Sequence, residues 1–129
     1  MTSRGLADTS VFIARESARP LDLDALPDEV AVSIITVGEL RAGVLAANDT
    51  STRARRLDTL TAVLSLQPLP IDDDVASAWA KLRILLRDAG LRMPVNDSWI
   101  AATAMAANVP VITQDQDFPV LDGLTVVQV

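Results

Sequence analysis

The sequence predicts an α/β fold: a three-layer α/β/α sandwich built on a parallel sheet of four or five strands. Three observations carry this. Short apolar runs of strand character alternate with segments of helical period, the pattern that right-handed crossovers produce. The chain has 129 residues, half of them hydrophobic, which suits one domain spanning 1–129 with a sizeable core. An alanine-rich stretch near residue 100 suits a helix pressed closely against a sheet.

The elements follow in order. Gly5-Leu6-Ala7 reads as a first buried strand and Thr9–Arg15 as a short helix. A proline-marked connection runs from Arg19-Pro20 to Pro27. Val30–Ile35 is the second strand, by its β-branched content. Thr36–Asn48 sets Val37, Leu40, Val44 and Leu45 on one helical face, and Ser51–Leu66 does the same with Leu57, Leu60, Val63 and Leu64. Asn48-Asp49 marks a turn between them, so the pair is expected to form a projecting αα-hairpin. Its apolar residues are candidates for a dimer or partner surface.

Gln67-Pro68-Leu69-Pro70-Ile71 reads as a third short strand. Asp72-Asp73-Asp74 then opens a helix over Val75–Ala89, where capping explains the acids more simply than metal binding. Gly90 is a natural stop. Asp97–Ala107 is the alanine-rich helix, Pro110–Ile112 the fourth strand and Leu124–Val129 the fifth. Trp79 and Trp99 lie at helical spacing among apolar residues and read as core.

Composition narrows the chemistry. There is no cysteine and no histidine. Disulfides, thiolate metal sites, the usual zinc ligands and histidine-based nucleophilic mechanisms are all excluded. The formal charge of −6 counts against a module that grips nucleic acid by raw electrostatics. The first residues do not read as a signal peptide, and no apolar run approaches the ~18 residues of a membrane span. A soluble cytoplasmic protein with no membrane partner is expected.

Four stretches carry acids in a repeating context, close after a strand-like run or at the start of a helix. They are Leu6-Ala7-Asp8-Thr9-Ser10, Thr36-Val37-Gly38-Glu39-Leu40, Val95-Asn96-Asp97-Ser98-Trp99 and Thr113-Gln114-Asp115-Gln116-Asp117-Phe118. In an open parallel sheet, ligands bind beyond the carboxyl ends of the strands, where strand order reverses. Asp8, Glu39 and Asp115 fit that edge directly. Asp97 reaches it only if the Gly90–Val95 loop delivers its helix start there.

Singly, each acid has a bland account. Asp8 can cap a helix, Thr36-x-x-Glu39 and Thr113-x-x-Gln116 are capping boxes, and Asn96-Asp97 suits a helix start. Together they are harder to dismiss, because two carboxylates ~4 Å apart repel by about 4 kcal/mol at an effective dielectric of 20. A hard divalent cation turns that repulsion into attraction. Such an ion polarises a scissile phosphate and lowers the pKa of bound water, so phosphodiester cleavage needs no histidine.

These four blocks, in this order and spacing, resemble PIN-domain ribonucleases, and the short length is most similar to the VapC-type toxins of toxin–antitoxin pairs. The resemblance covers the chain from about Leu6 to its end. It implies a PIN-like sandwich and an endoribonuclease dependent on Mg2+, with Mn2+ as the other candidate. It also implies a homodimer, an RNA substrate and a cognate VapB-type antitoxin. Matched residue by residue, Asp8, Glu39, Asp97 and Asp115 are the catalytic and metal-binding acids, with Asp117 a further metal ligand. Thr9, Ser10 and Thr113 match hydroxyls that orient the acids or a water.

Arg41 and Arg92 are candidates for the site rim. The Arg53, Arg55 and Arg56 cluster reads slightly better as a solvated face than as a phosphate contact. Two other readings compete. A receiver-like module switched by phosphorylation has similar length and an acidic edge, but needs a lysine late in the chain. The only lysine here is Lys81. A non-catalytic interaction protein, its acids serving only as caps, predicts no cation binding.

Overall fold

A computed structural model of the chain describes residues 2–129. It contains β1 (Arg4–Ala7), α1 (Thr9–Glu16), β2 (Glu29–Val32), α2 (Ile34–Leu45), α3 (Thr50–Leu64), α4 (Asp73–Ala89), α5 (Val95–Ala107), β3 (Val111–Thr113) and β4 (Val126–Gln128), with a short 3-10 turn at Leu23–Ala25. The sheet has four strands in the order β2-β1-β3-β4, all pairs parallel.

Alternating side chains on these strands divide the core in two. Ala7, Val32 and Ile112 point to one face and pack with Phe12, Val37, Leu40, Leu60 and Val63 from α1, α2 and α3. Leu6 and Val111 point to the other and meet Leu82, Leu86, Ile100, Ala101 and Ala104 from α4 and α5. The sandwich is therefore three layers. Gly5 belongs to the first face, where a Cβ would stand 2.6 Å from the Cδ1 of buried Ile112.

Strand order reverses beside β1. The chain leaves β1 for β2 on one flank, then returns by way of four helices to β3 on the other. The carboxyl ends of β1 and β3 therefore frame the crevice in which this kind of sheet holds ligands.

Several local expectations are corrected. The third of the five expected strands does not form: Gln67–Ile71 contributes one bridge, Leu69 to Ser33. Pro68 and Pro70 lack the N–H groups a ladder needs. The second strand stops at Val32, because Ser33 caps α2 by accepting a hydrogen bond from the Ile35 N–H at 3.1 Å. Neither predicted capping box exists. Thr36 lies inside α2 and is fully buried, and no helix follows Thr113.

Other expectations stand. The αα-hairpin turns at Asn48-Asp49, with Asp49 capping α3. Asp72 caps α4, and Gly90 ends it in the left-handed conformation. Arg53 and Arg56 donate to the carbonyls of Ala47 and Gly43 near the end of α2, so they serve the hairpin.

Candidate active site

Asp8 sits immediately beyond β1 and is 4 % exposed. Its backbone N–H bonds to the Ile112 carbonyl at 2.9 Å, which extends the β1–β3 register by one residue. Three donors fill its carboxylate. The N–H and hydroxyl of Ser10 reach Oδ1, and the buried Thr113 hydroxyl reaches Oδ2 at 2.6 Å. Asp8 is thus both the cap of α1 and a carboxylate aimed across the crevice.

Proton counting fixes the rest of this cluster. Each hydroxyl has one hydrogen. Ser10 gives its own to Asp8 and accepts from the Gln114 N–H at 3.0 Å, while Thr113 gives its own to Asp8 and accepts from the Asp115 N–H at 2.9 Å. The 3.3 Å approach between these two hydroxyls therefore has no proton to share. Ser10 and Thr113 bind the loop that follows β3 to Asp8, and that loop delivers Asp115.

A second cluster orients Glu39. The Thr9 hydroxyl donates to Glu39 Oε1 at 2.7 Å, so the buried Thr36 hydroxyl, 3.0 Å away, must be the donor to Thr9. Sequence reasoning took Thr36 for a helix cap. Its burial comes from the packing of α1 on α2, which no local motif announces.

Asp97 occupies the first turn of α5, which begins two residues earlier than expected, behind Pro94. The ring N–H of Trp79 donates to the Ser98 hydroxyl at 3.0 Å, and Ser98 donates onward to the Val95 carbonyl. Trp79 and Trp99 stack with centroids 4.3 Å apart and planes 3° from parallel. The two tryptophans are half-buried, and they brace the turn that carries Asp97 against α4.

The electrostatics tie the four acids together. Burial pushes the Asp97 carboxyl up to about 6, and the negative charges of Asp8, Glu39 and Asp115 push the same way. Burial also raises Asp8, against the hydrogen bonds from Ser10 and Thr113, with Asp115 adding to the rise. Asp8, Glu39, Asp97 and Asp115 therefore share one field. Among the described residues, no three acids already converge on a single point.

The side chains of the remaining candidates lie outside these two hydrogen-bonded clusters. Asp117 is exposed, and it is its backbone N–H that serves the site, donating to Asp115 Oδ1 at 2.9 Å. Arg41 is exposed on α2, about 200° around the helix from Glu39. Arg92 lines a pocket against the first turn of α5. Gln114, which no motif had marked, donates to the carbonyls of Pro20 and Val129 and holds the loop against the chain's last residue.

The donor set is wholly oxygen: carboxylates with hydroxyls behind them. That is the chemistry hard divalent cations such as magnesium or manganese take, and mutually repelling carboxylates are what such an ion relieves. The residues present fit the group.

Comparison with known proteins agrees. The PIN domain model matches residues 6–124. The chain is 54% identical to ribonuclease VapC5 of Mycobacterium tuberculosis over 97% of its own length and 93% of the relative's. It is 47% identical to ribonuclease VapC4 of the same organism, over 98% and 97%. The crystal structure of VapBC-5, a toxin–antitoxin family member from M. tuberculosis, superposes with a TM-score of 0.89 at 48% identity, covering 98% of this chain and 99% of that one. A phosphorylation-switched receiver is thereby set aside, in keeping with the missing late lysine. The chain belongs to the PIN-domain family, within its VapC branch.

Proposed function

We propose that this protein is a metal-dependent endoribonuclease, the toxin of a type II toxin–antitoxin pair, restrained by a VapB-type antitoxin. The observation that carries the reading is the shared field of Asp8, Glu39, Asp97 and Asp115 at the carboxyl edge of β1 and β3. The names of the VapC relatives and of the VapBC-5 complex support the ribonuclease and the antitoxin. The four acids would hold Mg2+ or Mn2+. When bound, the ion supplies charge neutralisation, polarisation of a phosphate and a more acidic water.

The chain's own groups do the positioning. Ser10 and Thr113 fix both oxygens of Asp8, and Thr9 fixes one oxygen of Glu39, so these two carboxylates are oriented in advance. Asp97 has no such clamp, and its carboxyl exchanges a proton close to neutral pH. A soluble homodimer in the cytoplasm completes the proposal. Among the described residues, no helix is long and apolar enough to cross a membrane.

The test is direct. Purified protein should cut a structured RNA with Mg2+ or Mn2+ and stop on addition of chelator. Cleavage undiminished in an Asp8→Ala, Asp97→Ala double variant would rule the reading out.

A further inference from the structure

Eleven cationic side chains offset seventeen acids in this chain. Several are already committed: Arg4 to Glu29 at 3.0 Å, and Arg53 and Arg56 to backbone carbonyls. Three arginines within ten residues, two of them one turn apart on α4, line one pocket of about 250 Å³ between the end of α4 and the loop that leads into α5. Arg83, Arg87 and Arg92 are all exposed there, over a floor that includes Leu86 and Met93.

The guanidinium groups are available. Arg83 lies over the Trp79 ring, 4.9 Å from its centroid, which steadies the group while its N–H edge stays free to donate. Arg87 meets Asp88 at 3.1 Å, but both side chains are solvated and such a pair is weak. One aspartate beside three arginines leaves the pocket net positive.

Location and size decide the ligand. Ser98 and Val95 form the pocket's wall, and both belong to the turn of α5 that carries Asp97. The pocket and the acid cluster are thus two sides of one helix start. At about 250 Å³ the space falls below the roughly 300–1,000 Å³ of a cleft that engulfs a whole ligand. It suits one phosphate and its sugar from a longer strand. A protein of net charge −6 repels RNA at distance, so a strand reaching the acids needs a local cationic hold.

We propose that the Arg83–Arg87–Arg92 pocket binds a backbone phosphate of single-stranded RNA flanking the scissile bond. This rests on the ribonuclease reading and adds to it where the strand lies. Arg87 and Arg92 donate to the phosphate oxygens, and Arg83 supplies a fixed third charge.

The experiment uses the full chain carrying Asp97→Asn, in EDTA, so that binding is read without cleavage. The probe is a short single-stranded oligoribonucleotide, titrated over a range of salt. Adding Arg87→Gln and Arg92→Gln should weaken binding at least about fivefold at low salt. It should also reduce the slope of log affinity against log salt by about 0.7, the value for one lost phosphate contact on a single strand. Thermal unfolding should not move, because neither side chain is buried.

Unchanged affinity and slope would overturn the assignment. So would a loss of antitoxin binding with RNA binding intact, which would make the pocket a protein contact. Failure of the ribonuclease reading looks different: the wild type does not cut RNA with any divalent ion, whatever the oligonucleotide titration gives.

Discussion

The hydroxyl of Thr113 donates to Oδ2 of Asp8 across 2.6 Å, linking residues 105 positions apart at the ends of two adjacent strands. The Thr113 hydroxyl oxygen in turn accepts from the N–H of Asp115, so one side chain sets the spacing between two of the acids. Replacing Thr113 with Val keeps the shape and removes both bonds. The buried Asp8 oxygen and the Asp115 N–H each lose their partner, at a cost of about 1–3 kcal/mol in stability. Denaturant unfolding should show that loss, and RNA cleavage should fall with it. Thr113→Ser should restore most of both. Wild-type stability in the Val variant would contradict the role assigned here.

Asp97 makes stability depend on pH in a defined direction. Its native pKa is raised from 3.8 to about 6, so the native state holds this proton more tightly than the unfolded chain does. In chelator, stability therefore falls as pH rises from about 4 to 6, and the full penalty remains above that window. Burial moves Asp8 the same way. Asp97→Asn removes its share: the variant should melt higher than wild type at pH 7 to 8, with the gap closing near pH 4. Equal melting temperatures at pH 7.5 would show that the carboxyl is not strained.

Thr9 acts on Glu39 and does not reach Asp8. Thr9→Val should weaken Mn2+ binding by about 10- to 100-fold, the usual effect of losing a group that orients a ligand. Calorimetry measures this without substrate. Binding heat and affinity equal to wild type would remove Thr9 from the site.

Trp79→Phe keeps a ring near Trp99 but loses the bond to Ser98. The expected stability loss is about 0.5–1.5 kcal/mol. Cleavage should fall more than this stability loss accounts for, because the turn holding Asp97 is freed from α4. A stability loss with kcat unchanged would make Trp79 purely structural.

The residues that spoke for themselves are those whose effect is local. Gly90 ends α4, Asp49 and Asp72 cap their helices, and Asn48-Asp49 turns the hairpin, because each acts on backbone within a few positions. The four acidic blocks were legible for a related reason: each follows a strand or opens a helix, and the parallel topology carries such positions to one edge. Thr36 was read only as a cap, while Thr113 was read both as a cap and, through the family resemblance, as a hydroxyl that orients an acid. The Thr36 hydroxyl answers to Thr9, 27 residues away, and sequence spacing holds no trace of that; the Thr113 hydroxyl bonds Asp8, 105 residues away, as the resemblance implied.

From sequence alone came the α/β class, the exclusion of histidine and cysteine chemistry, and the four acids as candidates, since period, composition and order are properties of the chain itself. Tertiary structure alone decided that the sheet has four strands, that Thr36 meets Thr9 behind Glu39, and that Trp79 braces the turn carrying Asp97. Those outcomes depend on which distant surfaces meet, and meeting is settled by packing two helical layers on one sheet.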